Sequence, residues 1–267
     1  MSATPFPDRT MPSYEVTARN HSSAHENRIH SDEVAQRYGF KGALVPGVAV
    51  YGHLTRPLAE RFGGDFLGRS IAALRLIKPA YDGDRLRIDL SEEDGQHLAQ
   101  CRNGEGTLLA DLRVQLPQEM PLPETPLSLS KRAKRRGRVE IEWNAVRAGE
   151  PYPAWDWEIT AAENRRFCEQ IADDLELYAT DVHPHAILSI ANQALTREFV
   201  MPAWIHTASE VRHRQALRVE DRVAVRAVPL EKWRRKGHEF VRLYIDLHRD
   251  GTLTTEIFHT AIFKVAA

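Results

Sequence analysis

The sequence has little cysteine, no long hydrophobic run and no excess of charge of either sign. Its two cysteines, Cys101 and Cys168, stand far apart and outside any CxxC pattern. That spacing argues against a disulfide framework or a zinc knuckle and fits reduced thiols in a cytoplasmic protein. The opening residues, MSATPFPDRTMPS, carry no apolar run of the signal-peptide kind. Nowhere do about 18 apolar residues follow one another, so no membrane association is expected. Lys and Arg number 36 against 37 Asp and Glu. This near-cancellation speaks against nucleic acid as a partner. What the chain does have is 42% hydrophobic residues over 267 positions, enough for a substantial core. That length suits one large domain or two of roughly 130 residues.

The chain is written twice. At a shift of 137 residues Glu26-Asn27-Arg28 falls on Glu163-Asn164-Arg165, Leu74-Arg75 on Val211-Arg212, and Asp84-Arg85-Leu86 on Asp221-Arg222-Val223. Each match alone is weak, but together they share one register at about half the chain length. The order of elements repeats as well. GVAVYGHLTRPLAERF (47–62), opened by Pro46-Gly47 and stopped by Gly63-Gly64, predicts a helix that Pro57 kinks or divides. It is apolar on more than one face, so it should be wrapped by other structure. HAILSIANQALTREF (185–199), introduced by Pro184, holds the same place in the second half.

Strand-like segments follow each helix, joined by tight turns at Asp82-Gly83, Asp94-Gly95, Asn103-Gly104, Lys236-Gly237 and Asp250-Gly251. Strands so joined must be antiparallel. The sequence therefore predicts an α+β protein made of two copies of one unit, a central helix wrapped by an antiparallel sheet. The first unit is expected over 1–116 and the second over 139–267. Between them, 117–138 carries four prolines and the basic run KRAKRR, as an exposed linker would.

One stretch places polar chemistry against a buried helix. ENRIHSDEVAQRYGF and GALVPGVAVYG set an Asn-x-x-His ahead of a Gly-containing loop and the central helix. Over residues 23–53 this resembles the MaoC-like hydratase/dehydratase branch of the hotdog fold, and the architecture of the whole chain resembles its double-hotdog form. The resemblance implies addition of water to, or its removal from, the double bond beside the carbonyl of an acyl thioester. The acyl carrier would be coenzyme A or an acyl carrier protein. It also implies that His30 is the base, since imidazole suits proton transfer near neutral pH. The N–H groups opening the helix, at Gly47 and Val48, would steady the enolate-like oxygen, each such donor being worth roughly 3 kcal/mol. Glycine at 47 lets a thioester approach the backbone closely. Asn27 is a candidate substrate contact. No cofactor and no metal are called for.

The sequence departs from the resemblance at one point. The hydratase motif places an Asp five residues before the histidine, where this chain has His25. Glu26 and His25 are the candidates to complete the site with His30. In extended backbone Glu26 points to the opposite side from residue 25 and cannot simply replace it. In the second copy Phe167 falls in register with His30, so at most one of the two sites can be catalytic. Asn27 and Asn164 recur although the histidine does not, which favours a structural role for both.

The alternatives are a hotdog thioesterase and a non-catalytic acyl-thioester-binding protein. A thioesterase usually needs a carboxylate or amide on the central helix. The first helix offers only Glu60, at its far end; the second offers Asn192 and Gln193. Arg234, Arg235 and Lys236, in the run KWRRK, are candidate contacts for phosphate. His183 and His185 have a spacing that suits metal but lack companion ligands. His206, His213, His238, His248 and His259 are scattered and suggest no joint role. The expected state is a monomeric two-unit fold or a homodimer of it.

Overall fold

A computed structural model describes residues 13–22, 26–130, 133 and 137–266. In chain order the first half contains β1 (Tyr14–Thr17), α1 (Asp32–Arg37), α2 (Gly47–Phe62), α3 (Gly64–Gly68), β2 (Ser70–Leu76), β3 (Arg85–Glu93), β4 (Gln96–Arg102) and β5 (Leu108–Gln115). After β6 (Val139–Glu140) the second half contains β7 (Trp155–Glu158), α4 (Ala161–Gln170), α5 (Pro184–Thr196), β8 (Phe199–Val200), β9 (Ile205–His213), β10 (Arg222–Arg235), β11 (His238–Arg249) and β12 (Thr252–Lys264). Ten of the strands form one sheet in the order β1-β3-β4-β5-β2-β9-β12-β11-β10-β7, and every pairing in it is antiparallel. Read from its two edges inward, that order gives the same five-strand unit twice. This is the double hotdog fold, and the protein is α+β.

The repeat register holds at atomic detail. The central helices begin at Gly47 and Pro184, and β3 and β10 begin at Arg85 and Arg222, all at the shift of 137. Where the units join, β2 pairs with β9 so that Ala73 faces Glu210, its own counterpart. A local twofold relation therefore crosses the sheet at this pair. The edge strands break the register. Val16 pairs with Leu86 and Trp157 with Val223, which leaves the first unit four residues longer between its edge strand and Asn27. The extra residues fall in the stretch that holds His25.

Helix α2 is wrapped as its composition requires. Tyr51, Leu54 and Leu58 are fully buried against both units in one continuous apolar core. Pro57 does not divide the helix, which runs unbroken to Phe62. It stops at Gly63, whose φ of +52° favours glycine. The turns at Asp94-Gly95, Lys236-Gly237 and Asp250-Gly251 have positive φ at both central residues, the geometry that a tight two-residue hairpin needs. Among the described residues no helix is long and apolar enough to cross a membrane.

Candidate active site

A pocket of about 230 Å³ opens at the seam of the two units. The first unit contributes Asn27, His30, the loop into α2 and the chain leaving β2. The second contributes Asn192 from α5 and Trp204 to Thr207 at the start of β9. Most of the remaining wall is apolar, with Ile29, Leu44, Val50, Leu76 and Ile262 among its residues. Lys78 is the one cation among the lining residues, and it is exposed, so it stands at the mouth.

Asn27 is buried and clamps the seam. Its Nδ2 donates to the Trp204 carbonyl at 3.0 Å and its Oδ1 accepts from the Trp204 N–H at 3.1 Å. These two bonds fix which end of the amide is which. The same Oδ1 caps the 3-10 turn Arg28–His30 through the Ile29 N–H. His30, at the end of that turn, is half-buried. Its Nδ1 lies 2.7 Å from the Leu44 carbonyl, which can only accept, so Nδ1 carries a proton and donates. Nε2 is then the basic nitrogen. It lies 3.2 Å from Asn27 Nδ2, which donates to it.

The α2 N-terminus forms the adjoining wall. Pro46 caps it without any side-chain bond, and among the described residues nothing takes up the Gly47 or Val48 N–H. A Cβ at position 47 would collide with Leu76 Cδ1 and come within 2.9 Å of His206 Nδ1. Any larger residue here would have to shift Leu76 and the His206 ring.

The other sequence candidates lie elsewhere. Val48 sends its side chain into the main core and does not line the pocket. Glu26 turns outward to Arg138 at 2.5 Å, so it does not pair with His30. Arg234 pairs with Glu239 at 2.9 Å and stacks over Trp143, and neither it nor Arg235 nor Lys236 lines the pocket. His25 and most of the KRAKRR run lie outside the described residues.

The expectation that the histidines on the strands share no role is overturned for two of them. His206 Nε2 lies 2.9 Å from Ser209 Oγ, which lies 2.9 Å from His259 Nδ1. All three side chains are buried. Residues 206 and 209 would face opposite ways on a regular strand. The β9–β12 register shifts between Thr260 and Ala261, leaving Thr207 as a bulge that turns both to one side. No spacing in the sequence announces a bulge. Asn192, whose buried Oδ1 has no partner among the described residues, also reaches this pocket.

The equivalent place in the second unit is sealed. Pro184 stands where Gly47 stands and has no N–H to offer. The next donor, the His185 N–H, is taken by His183 Nδ1 at 2.9 Å. His183 Nε2 donates to Asp173 at 3.0 Å, and Asp173 accepts from Arg56 at 3.0 Å. Phe167, in the position of His30, packs edge-on against His185 with ring centres 4.9 Å apart. Asn164 keeps the clamping role of Asn27 but within its own unit, donating to Tyr178 and Asp181 and accepting from the His183 N–H. The paired histidines of 183–185 thus serve a helix cap.

No protein-family model matches the chain, and no curated protein does. Solved structures do. A MaoC domain protein assigned as a dehydratase, from Chloroflexus aurantiacus J-10-fl, superposes over 100% of both chains with a TM-score of 0.67 at 13% identity. A MaoC-like dehydratase covers 94% of this chain and 97% of its own, with a TM-score of 0.56 at 12% identity. A conserved hypothetical protein of Mycobacterium tuberculosis with a double hotdog fold covers 95% of this chain and 96% of its own, with a TM-score of 0.58 at 13% identity. At these identities the likeness carries the fold. Function has to be argued from the site.

Proposed function

We propose that the seam pocket binds an acyl thioester and that the protein adds water to, or removes it from, the carbon–carbon bond next to the thioester carbonyl. One observation carries this reading: a histidine with a fixed basic nitrogen and an uncapped helix N-terminus face the same largely apolar pocket. The thioester oxygen would sit at the Gly47 N–H, where the helix dipole favours the negative charge that develops in the enolate-like state. In hydration His30 Nε2 would take a proton from water as its oxygen adds to the β-carbon and return it to the α-carbon; in dehydration it would take the α-proton and return it to the β-hydroxyl, which leaves as water. Leu44 holds the tautomer that leaves Nε2 basic. Asn27 already donates to Nε2, so the reacting group must displace that bond at a cost of about 1 kcal/mol.

A cavity this small suits a short acyl group and leaves the carrier outside. Phosphates of coenzyme A or a carrier protein would meet Lys78 at the mouth. Arg235 and Lys236, exposed at their hairpin tip, are the further candidates. A cytoplasmic setting and a homodimer are compatible with this reading and form part of the proposal.

A second reading, thioester binding without turnover, is favoured by the Asn27 bond to His30 Nε2 and by the outward turn of Glu26. The experiment is hydration of a panel of enoyl-coenzyme A esters by wild type and His30→Ala, followed by loss of the conjugated absorbance. Thiol release is measured in the same samples. Hydration that disappears in the variant supports the lyase reading. Thiol release makes the protein a thioesterase, and binding with neither signal leaves the second reading.

A further inference from the structure

Helix α5 carries four part-exposed polar residues, Ser189, Asn192, Gln193 and Thr196, at helical spacing. Two of them turn their hydroxyls back on the helix. Ser189 Oγ donates to the His185 carbonyl at 2.7 Å, and Thr196 Oγ1 donates to the Asn192 carbonyl at 3.3 Å. Only Asn192 among the four lines the seam pocket, and its side chain has no hydrogen-bond partner among the described residues. The pocket it enters is otherwise largely apolar, with Val50, Leu76 and Ile262 among its residues.

The two ends of the Asn192 amide differ. Oδ1 is buried, whereas Nδ2 keeps accessible surface. Turning the amide over would exchange them and bury an NH2 with nothing to accept from it. Orphaned buried N–H groups are rarer than orphaned carbonyl oxygens, so Nδ2 is the end offered to a ligand. In an empty pocket water can accept this N–H. An alkyl chain would displace the water and put no acceptor in its place, which weakens binding. An oxygen on the chain would take the N–H instead. Charge narrows the class further. Lys78, the one lysine or arginine among the lining residues, stands at the mouth. His206 stays neutral near pH 7, because burial drives it down to about 3, opposed in part by the nearby Ala208 backbone. With His30 neutral, as a base must be, a carboxylate on the acyl chain would be buried without a counter-charge.

We propose that Asn192 makes the pocket selective for a thioester whose acyl chain carries a neutral oxygen, a hydroxyl, ether or carbonyl that accepts from Asn192 Nδ2. The inference rests on the thioester reading of the pocket and names its substrate class. In that reading the thioester oxygen belongs to Gly47 and the proton transfer to His30, both in the first unit. Asn192 comes from α5, which packs against α2 from the second unit. It therefore meets the part of the acyl group that those two residues leave free. The second unit, which has no base of its own, would choose the substrate.

The test is calorimetric titration of the full-length protein with two pairs of saturated thioesters, which cannot be hydrated. The first pair is 4-methoxybutanoyl- and hexanoyl-coenzyme A; the second is 5-methoxypentanoyl- and heptanoyl-coenzyme A. Within each pair an ether oxygen replaces one CH2, so length and shape are shared. Wild type should bind the ether more tightly in at least one pair. Asn192→Leu should reverse that order, moving the ratio of the two dissociation constants by about tenfold to a hundredfold. Urea midpoints no lower than those of wild type would show the variant folded. Wild type that prefers the alkyl member of both pairs overturns the proposal without any variant. A ratio that the folded variant leaves unchanged overturns it too. If that unchanged ratio comes with a lower kcat on plain enoyl esters, Asn192 holds the reacting water instead. Failure of wild type to bind any of the four defeats the thioester reading and the inference with it, whereas binding without preference defeats the inference alone.

Discussion

Gly47 and Pro184 open the two central helices at equivalent positions, and only Gly47 brings an N–H to its helix end. In the second unit His183 takes the next donor and Asp173 fixes His183. Calorimetric titration with butyryl-coenzyme A should therefore give one site per chain. Pro184→Gly should leave that number at one, because His183 still caps the helix. Two sites in wild type would mean that the second pocket opens.

Gly47→Ala tests the close approach from the other side. Its Cβ would meet Leu76 and the His206 ring. Overpacking of this kind costs about 1–3 kcal/mol. Urea denaturation should show that loss, and thioester binding should weaken with it because the displaced Leu76 and His206, both lining the pocket, change its shape. An Ala variant that binds normally would move the thioester away from the helix end.

Asn27→Ala removes both bonds to Trp204 and leaves its buried N–H and C=O unpaired. The expected loss is about 1–3 kcal/mol per stranded group in urea denaturation. The same change releases His30 Nε2 from the Asn27 amide, so turnover per folded molecule should fall less than stability does. A variant as stable as wild type would show that the seam does not depend on this clamp.

Much of this arrangement was legible in the sequence, for identifiable reasons. The repeat could be read because Asn27 and Asn164, Arg85 and Arg222, and the two helix starts keep one spacing. His30 and Gly47 could be read because an Asn-x-x-His and a Pro-Gly in front of an apolar run each have a local meaning. The second-unit half of the site could not. His206 and Ser209 face one way only because Thr207 bulges, and His259 reaches them by strand pairing 50 positions along the chain. Glu26 was the nearest carboxylate to position 25 in sequence, yet its side chain turns to Arg138. Proximity along the chain misled where direction mattered.

Buried histidines make stability depend on pH. Burial lowers His53 and His213 to about 4 and His185 to about 3. In the unfolded chain each titrates near 6.5. Between about pH 6.5 and 4 the unfolded state therefore binds more protons than the native state, so stability rises with pH. The contribution is complete above the unfolded value and is lost as pH falls, at up to about 1.4 kcal/mol per pH unit for each histidine. Urea midpoints should be flat from pH 7 to 8 and fall steeply from pH 6 to 5. His213→Gln should make that fall shallower. A flat profile down to pH 5 would mean that the histidines become protonated inside the fold.

The two thiols bear directly on the thioesterase question. Cys101 and Cys168 are buried, and burial raises both to about 12, with Asp84 adding to the effect at Cys101 and Asp173 at Cys168. The thiolate is the reactive form, and at pH 8 almost none is present. Native protein should therefore react only slowly with an aromatic disulfide reagent, and both cysteines should titrate in guanidinium. Fast labelling of one thiol in native protein would place it outside the core. If neither labels quickly, any prompt thiol signal with an acyl-coenzyme A comes from the cleaved substrate, which separates hydrolysis of the thioester from hydration of its double bond.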